Sequence, residues 1–323
     1  MESVTTMKKT HGLILLLLLI ICWALINEEV PYVNSQTLAT SEKNTLAQAK
    51  TKKAIPRPVI YLVPHADDET LTYGVDIQKE RQRGRPIYLI LFSQGEESIA
   101  REVLNGHYDH QSVNKNRVGE PILCRWHGRI HSPNEEHFAD GSLSRKEFGK
   151  ARIRDFYRVA KVLGIPSSHI RTYSLPNDHF TPSQVQSVID SALKKFPGAD
   201  FRTMSPYDVH PDHALIGKEL ANAIQTNKIS ASQVHYFVSI YTDRFAKVDI
   251  PFKKHISTIK KGSKAYIRLV QSMDVYRDYD PKQGSYATGY HSVPKQFDAL
   301  IKATYTSWYL PQIAPSNKKE TAG

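Results

Sequence analysis

Hydrophobic positions recur along the chain as short solid blocks separated by amphipathic stretches. Val59 to Val63 is an unbroken apolar run that stops at Pro64, and Ile87 to Phe92 is a second. Runs this short, bounded by Pro and Gly, predict strands buried on both faces. Between them Glu69 to Arg83 has helical composition and stops at Gly84, a C-capping residue. Strand, helix and strand in so short a span make a βαβ unit, which requires a parallel sheet. The pattern repeats downstream. Phe148, Ile153, Phe156, Ala160 and Leu163 recur at near-helical spacing before Gly164, and Ile170 to Leu175 follows as a strand. Ser183 to Phe196 carries Val185, Val188, Ile189 and Leu193 on one helical face, Phe201 to Met204 is a short strand, His213 to Thr226 is helical, and Val234 to Tyr241 alternates as a strand. The fold class is therefore α/β, a mostly parallel sheet flanked by helices.

Three regions break the pattern. Ser93 to Leu143 lacks steady periodicity and reads as a long loop insertion, about residues 96–143. Beyond Phe252 a C-terminal extension shows two helices, Tyr266 to Met273 and Pro294 to Ala303, joined by a loop rich in Tyr, Asp and Gly. At the other end, Lys8 and Lys9 precede an unbroken apolar run from Gly12 to Ile26, the layout of an export signal. Fifteen helical residues span about 22 Å, short of a hydrocarbon core of about 30 Å. Residues 1–27 thus read as a signal anchor or a signal peptide, and the absence of an A-x-A cleavage site favours the anchor. Positive charge before the run stays cytoplasmic, so the domain faces outward, membrane-anchored, or is secreted if the segment is cleaved. Residues 28–57 form a polar spacer, 58–310 the folded domain, and 311–323 a polar tail.

Composition narrows the classes. With 40% hydrophobic, 10% aromatic and 23% charged residues among 323, the chain is neither disordered nor collagen-like. Its formal charge of +11 belongs mostly to the folded part, since residues 1–57 hold seven Lys/Arg against four Glu. The densest cluster, Lys253, Lys254, Lys260, Lys261 and Lys264, lacks interleaved aromatics, so no nucleic-acid partner is expected. A basic surface suits an anionic glycan or a lipid-linked sugar. The only cysteines, Cys22 and Cys124, cannot build a disulfide framework, and thiol-based metal binding is ruled out as well.

Two segments, each following an expected strand, carry the chemistry: Pro64 to Glu69 (PHADDE) and His210 to His213 (HPDH). His65 and Asp68 lie three residues apart in a turn opening a helix, a spacing that directs an imidazole and a carboxylate at one ion; His213 supplies a third ligand. Three N/O ligands with one position left for water is the composition of a catalytic zinc site, with Fe²⁺ an alternative metal. A carboxylate must still move the proton, and Asp67 is the candidate base. His210 is free to donate to the developing oxyanion or to the departing amine, with Asp212 orienting that histidine.

The paired motifs resemble those of the PIG-L (LmbE-like) family of zinc-dependent sugar N-deacetylases, whose signature is His-Pro-Asp-Asp-Glu followed later by His-Pro-Asp-His. The resemblance runs from about Val59 to Tyr241. It implies a Rossmann-like domain, zinc held at His65, Asp68 and His213, a base at Asp67 and an oxyanion-polarising His210. Ser93-Gln94-Gly95 resembles the family's Thr-x-Gly turn, and Arg152 with Asp155 its Arg-x-x-Glu helix. Asp178 falls where the family often has an acidic residue near the substrate. Arg152, Asp178 and Gly95 are therefore expected at the substrate. Ala66 replaces the family's usual Pro and Asp155 its Glu, so Arg152 and Asp155 also read as an ordinary i, i+3 surface ion pair, and the insertion is long. Its histidines, His107, His110, His127, His131 and His137, offer a second metal site or are simply solvated. The expected activity is removal of the N-acetyl group from an N-acetylglucosamine-type glycoconjugate. Two rivals stay open: a zinc amidase acting on another acylated amine, and a non-catalytic surface glycan-binding protein.

Overall fold

The computed structural model describes residues 56–138 and 141–312. Nine strands appear in chain order: β1 (Val59–Val63), β2 (Ile87–Leu91), β3 (Ile170–Thr172), β4 (Asp200–Met204), β5 (Val234–Val238), β6 (His255–Thr258), β7 (Tyr279–Asp280), β8 (Ser285–Tyr286) and β9 (Tyr305–Tyr309). Seven form one sheet in the order β3-β2-β1-β4-β5-β9-β6, and β7 pairs with β8 separately. The first five are parallel, while β9 runs antiparallel to both β5 and β6. The expectation of a mostly parallel, Rossmann-like sheet holds.

The helices are α1 (Asp68–Leu71), α2 (Gly74–Gln82), α3 (Ile99–Asn105), α4 (Pro133–Glu136), α5 (Arg145–Leu163), α6 (Pro182–Lys195), α7 (Pro211–Gln225), α8 (Lys264–Arg277) and α9 (Pro294–Lys302). Solid apolar strands mean two covered faces, and β1 divides its residues accordingly. Val59, Tyr61 and Val63 enter one core with residues of α2, α5, α8 and α9; Ile60 and Leu62 enter the other with residues of α6 and α7. Local signals fix the helix ends. Ser144 and Glu147 close a capping box on α5, which stops at Gly164 in the left-handed region; Thr181 and Gln184 do the same at the start of α6.

Several expected boundaries shift. The single helix expected over Glu69 to Arg83 is two, because the chain turns at Thr72 and Tyr73, whose hydroxyl donates to Leu62 O at 2.9 Å. The insertion is not structureless: it contains α3 and α4. The strand expected to run to Tyr241 ends at Val238, and Tyr241–Ala246 winds into a π-helix. Four further strands follow it. Among the described residues no helix is long and apolar enough to cross a membrane; the N-terminal run and its spacer lie outside those residues.

One glycine fixes how α7 meets the sheet. A Cβ on Gly217 would lie 2.5 Å from Met204 O and 2.7 Å from Pro206 N, both backbone atoms at the end of β4. Gly217→Ala therefore forces strand and helix apart. We expect it to lower the urea midpoint by the equivalent of about 1–3 kcal/mol, as overpacking does.

Candidate metal centre and active site

In an open α/β sheet ligands settle outside the carboxyl ends of the strands, where the strand order reverses direction. Here that point lies between β1 and β4, neighbours in the sheet although far apart in sequence. The two motifs leave these two strands, so the topology alone brings His65, Asp67 and Asp68 beside His210, Asp212 and His213.

Three side chains converge most closely. His65 Nδ1 lies 3.6 Å from Asp68 Oδ2, His213 Nε2 lies 3.2 Å from the same oxygen, and the two nitrogens are 3.3 Å apart. All three residues are buried. Each outer nitrogen faces a carboxylate. His65 Nε2 faces Asp212 Oδ2 at 3.1 Å, and His213 Nδ1 faces Asp208 Oδ1 at 3.3 Å. With carboxylates on the outside, the protons sit on those outer nitrogens. Two imidazole lone pairs and a carboxylate oxygen then confront one another with no proton between them; a metal cation relieves this, as does a second proton on His213, whose pKa the carboxylates of Asp68 and Asp208 raise against the effect of burial. Donor atoms held at about 2.0–2.1 Å around a tetrahedral zinc are spaced about 3.4 Å apart, so the triangle fits such an ion.

His210 approaches the same place: its ligand atom and those of His65 and His213 lie within 4.8 Å of one another. It is nevertheless already committed. Its Nδ1 accepts the backbone N–H of Asp212 at 3.3 Å, capping α7, and its Nε2 meets Asp178 Oδ1 at 3.2 Å. The ring is half-exposed on the rim, stacked on His213 with centroids 4.5 Å apart.

Asp67 stands beside the triangle with φ of 148°, a conformation disfavoured for any L-residue with a side chain. Its carboxylate does not cap α1. Instead Asp67 Oδ2 accepts from Arg152 Nη2 at 3.2 Å, and its N–H donates to Glu69 Oε2 at 3.0 Å. Glu69 in turn accepts from Tyr276 Oη at 2.6 Å. Burial raises the Asp67 carboxyl above its ordinary range, Arg152 opposes that rise, and the neighbouring Asp68 adds to it. Burial also lifts Glu69 to about 8, so Glu69 stays protonated near neutrality.

The structure revises several expected roles. Asp212 meets His210 only through its backbone N–H; its carboxylate faces His65 and accepts the backbone N–H groups of Asp178 and Phe180 at 2.9 and 3.3 Å. Asp178 is the partner of His210, and that bond draws its carboxyl below the usual range. Arg152 is no surface ion-pair residue. It is buried, and besides Asp67 it donates to the carbonyls of Ala66, Gln94 and Thr288. It lines the cavity, but these bonds spend its donors on holding Asp67. Asp155 pairs with Arg158 at 3.1 Å and with Thr288 Oγ1 at 2.9 Å, not with Arg152. Gly95 stays off the cavity wall; with φ of 71° and a Cβ position 2.7 Å from Arg152 Nε, it leaves room for that guanidinium.

Sequence reading missed Asp208 and Glu69. Asp208 heads the same stretch as the second motif, five residues before His213, and that proximity was the available signal. The second metal site offered by the insertion histidines has a counterpart in a second convergence, with a residue set not legible in the sequence. Of the five insertion histidines, His127 and His131 come together, joined by Cys124 and by His291 from beyond α8, with one ligand atom of each within 4.8 Å of the others. His107, His110 and His137 take no part. The argument against a thiol ligand fails here, because one sulfur suffices when three imidazoles join it.

A cavity of about 420 Å³ opens over the triangle, within the range of small-molecule sites. Its walls come from the insertion (Glu97, Ser98, Ile99), from Asn177 and Asp178, from Ser239 to Tyr241, and from Ser292, Val293 and Gln296.

Comparison with known proteins agrees with this geometry. Residues 60–224 match the PIG-L family, described as GlcNAc-PI de-N-acetylase. A probable N-acetyl-alpha-D-glucosaminyl L-malate deacetylase 2 of Bacillus anthracis is 22% identical over 201 residues, covering 62% of this chain and 73% of the relative. Among solved structures, a triple mutant of a deacetylase from the teicoplanin biosynthetic pathway superposes with a TM-score of 0.52 at 15% identity, over 80% of this chain and 100% of that one. The deacetylase of the antimicrobial A40926 pseudoaglycone gives a TM-score of 0.50 at 15% identity, over 80% and 98%. At that identity the likeness shows a shared fold.

Proposed function

We propose that this chain, which belongs to the PIG-L family, is a metal-dependent hydrolase that removes the acetyl group from an N-acetylated amino sugar of the N-acetylglucosamine type. The observation that carries this reading is the triangle of inward-facing donors at His65, Asp68 and His213, with the ionisable Asp67 beside it at the floor of a cavity. A zinc ion held by those three residues supplies Lewis-acid activation of water and of the amide carbonyl.

Asp67 takes the proton from the attacking water and delivers it to the departing amine as the C–N bond breaks, leaving acetate and a free amino sugar. His210 Nε2–H, now turned toward Asp178, donates to the carbonyl oxygen as negative charge develops there. Asp212 and Asp208 hold His65 and His213 in the tautomers that face lone pairs inward. Glu97 is paired with Arg145 at 2.9 Å and Asp178 with His210 at 3.2 Å, so among the described residues the cavity wall offers no free cation there and suits a neutral polyhydroxylated ring, an anionic part of a glycoconjugate staying outside. Tyr241, half-exposed on the rim, offers a face for that ring. The N-terminal run supports the reading that the domain works outside the cytoplasm, tethered or secreted.

The test is acetate release from N-acetylglucosamine conjugates before and after chelation, with zinc and ferrous iron added back. Turnover that survives complete metal removal eliminates the mechanism; hydrolysis of other acyl amides but not of sugars moves the substrate and keeps the site.

Arg152 gives this reading a signature in pH. Its guanidinium lowers the Asp67 carboxyl, so removing the charge raises it further. The base works only when deprotonated, above its pKa, so the acid limb of kcat/KM moves upward in Arg152→Gln. An opposite charge at this distance is worth about 1–3 pH units. An unmoved limb in the pH profile would show that Asp67 is not the titrating base.

A further inference from the structure

We propose that Cys124, His127, His131 and His291 hold a second divalent ion, zinc, in a closed four-ligand site that fastens the insertion to the C-terminal segment bordering the cavity. The inference stands whether or not the first centre deacetylates sugars.

The distances fit one ion. His127 Nδ1 lies 3.1 Å from His131 Nε2, 3.3 Å from His291 Nε2 and 3.7 Å from Cys124 Sγ. Around a tetrahedral zinc, nitrogens are spaced about 3.4 Å apart and a nitrogen and a sulfur about 3.5 Å. Three imidazoles and one thiolate fill a tetrahedron and leave no position for water, the mark of a structural site. Cys124, His131 and His291 are buried.

Hydrogen bonds on the far sides show what a cation adds. His291 Nδ1 meets Tyr286 O at 2.6 Å, and a carbonyl can only accept, so that nitrogen carries the proton. His131 Nδ1 meets Glu136 Oε1 at 2.6 Å, and Tyr279 Oη donates to the other oxygen of Glu136. The Nε2 atoms of His131 and His291 are then both lone pairs, and both point at His127 Nδ1, which can carry one proton at most. Charging His131 against Glu136 still leaves His291 Nε2 facing His127 Nδ1, lone pair to lone pair. Without an ion, one proton on His127 Nδ1 must be shared between the two lone pairs in a three-centre bond that leaves the sulfur out; an ion meets all four ligand atoms at once. Outward carboxylate and carbonyl partners of this kind orient metal-ligating histidines. The sulfur is prepared as well. Cys124 and Arg129 close a tight turn through Cys124 N–H to Arg129 O at 2.8 Å and Gly128 N–H to Cys124 O at 2.8 Å, and Cys124 Sγ accepts the His127 N–H at 3.3 Å.

The site has a structural use. His291 directly precedes Ser292 and Val293 on the cavity wall, and Ser292 Oγ meets Ser98 Oγ of the insertion at 3.2 Å. One ion thus ties together two chain segments that wall the substrate cavity and pack into separate apolar clusters.

The experiment uses the full chain with Cys22→Ser, so that Cys124 is its only thiol, and counts zinc by elemental analysis after equilibrium dialysis against free zinc. Two equivalents per chain are expected, falling to one in Cys124→Ser and in His291→Ala. In the cobalt-loaded chain a sulfur-to-cobalt charge-transfer band is expected in the near ultraviolet, and it needs no variant to fold. A zinc count that Cys124→Ser and His291→Ala leave unchanged, or a cobalt-loaded protein without that band, overturns the proposal.

Discussion

Asp67→Asn should lower kcat for amide hydrolysis by about 10²–10⁴-fold, the usual contribution of a positioned general base, while zinc at the first centre stays at full occupancy. The two halves of this expectation separate the base from the ligands. Asp67 is not one of the three donors that face each other at 3.2–3.6 Å, so its replacement leaves the triangle intact. Asn matches Asp in size and is among the few side chains that tolerate a positive φ, so the strained turn survives. The backbone N–H of residue 67 keeps its bond to Glu69. What the amide loses is the capacity to accept a proton. A kcat within tenfold of the unaltered chain, measured at saturating substrate and zinc, would remove Asp67 from the mechanism.

How much of this was legible in the sequence follows from how local each signal is. β1 and β2 were readable because burial on both faces turns a strand into a solid apolar block. The motif residues were readable because each group follows such a block, and adjacency of β1 to β4 at the reversal point then places them together. What escaped depends on partners distant in the chain. β9 joins the sheet through Tyr236↔Tyr309 and Phe237↔Trp308, a pairing across some seventy residues that nothing in the segment Tyr305 to Tyr309 announces. Arg152 offered the spacing of a surface ion pair; only the left-handed Gly95 beneath it reveals that the guanidinium is buried against Asp67. Asp212 sits next to His210 in sequence, yet its carboxylate faces His65, because His210 caps α7 and turns its outer nitrogen to Asp178. Cys124, His127 and His131 lie close together in the sequence, but their fourth partner, His291, lies beyond five further α-helices and six strands.

The largest loss is expected from His213→Gln, which should take deacetylation to background and reduce zinc per chain from two equivalents to one. His213 supplies the nitrogen that closes the triangle, 3.2 Å from Asp68 Oδ2 and 3.3 Å from His65 Nδ1, and two donors without it make no stable site. Gln is the informative replacement. Truncation to Ala would leave the buried Asp208 carboxylate with only the backbone N–H groups of His210 and Ser239, and breaking a buried pair costs about 3–5 kcal/mol, so lost activity could reflect lost fold. A glutamine amide still donates to Asp208 and offers no imidazole lone pair. The remaining equivalent should disappear only when Cys124→Ser is added, because the second cluster shares no residue with the first. Zinc content and acetate release measured on the same preparation decide the matter: two equivalents retained by His213→Gln would mean that the ligand set is misassigned, and turnover retained with one equivalent would mean that the reaction does not use the first centre.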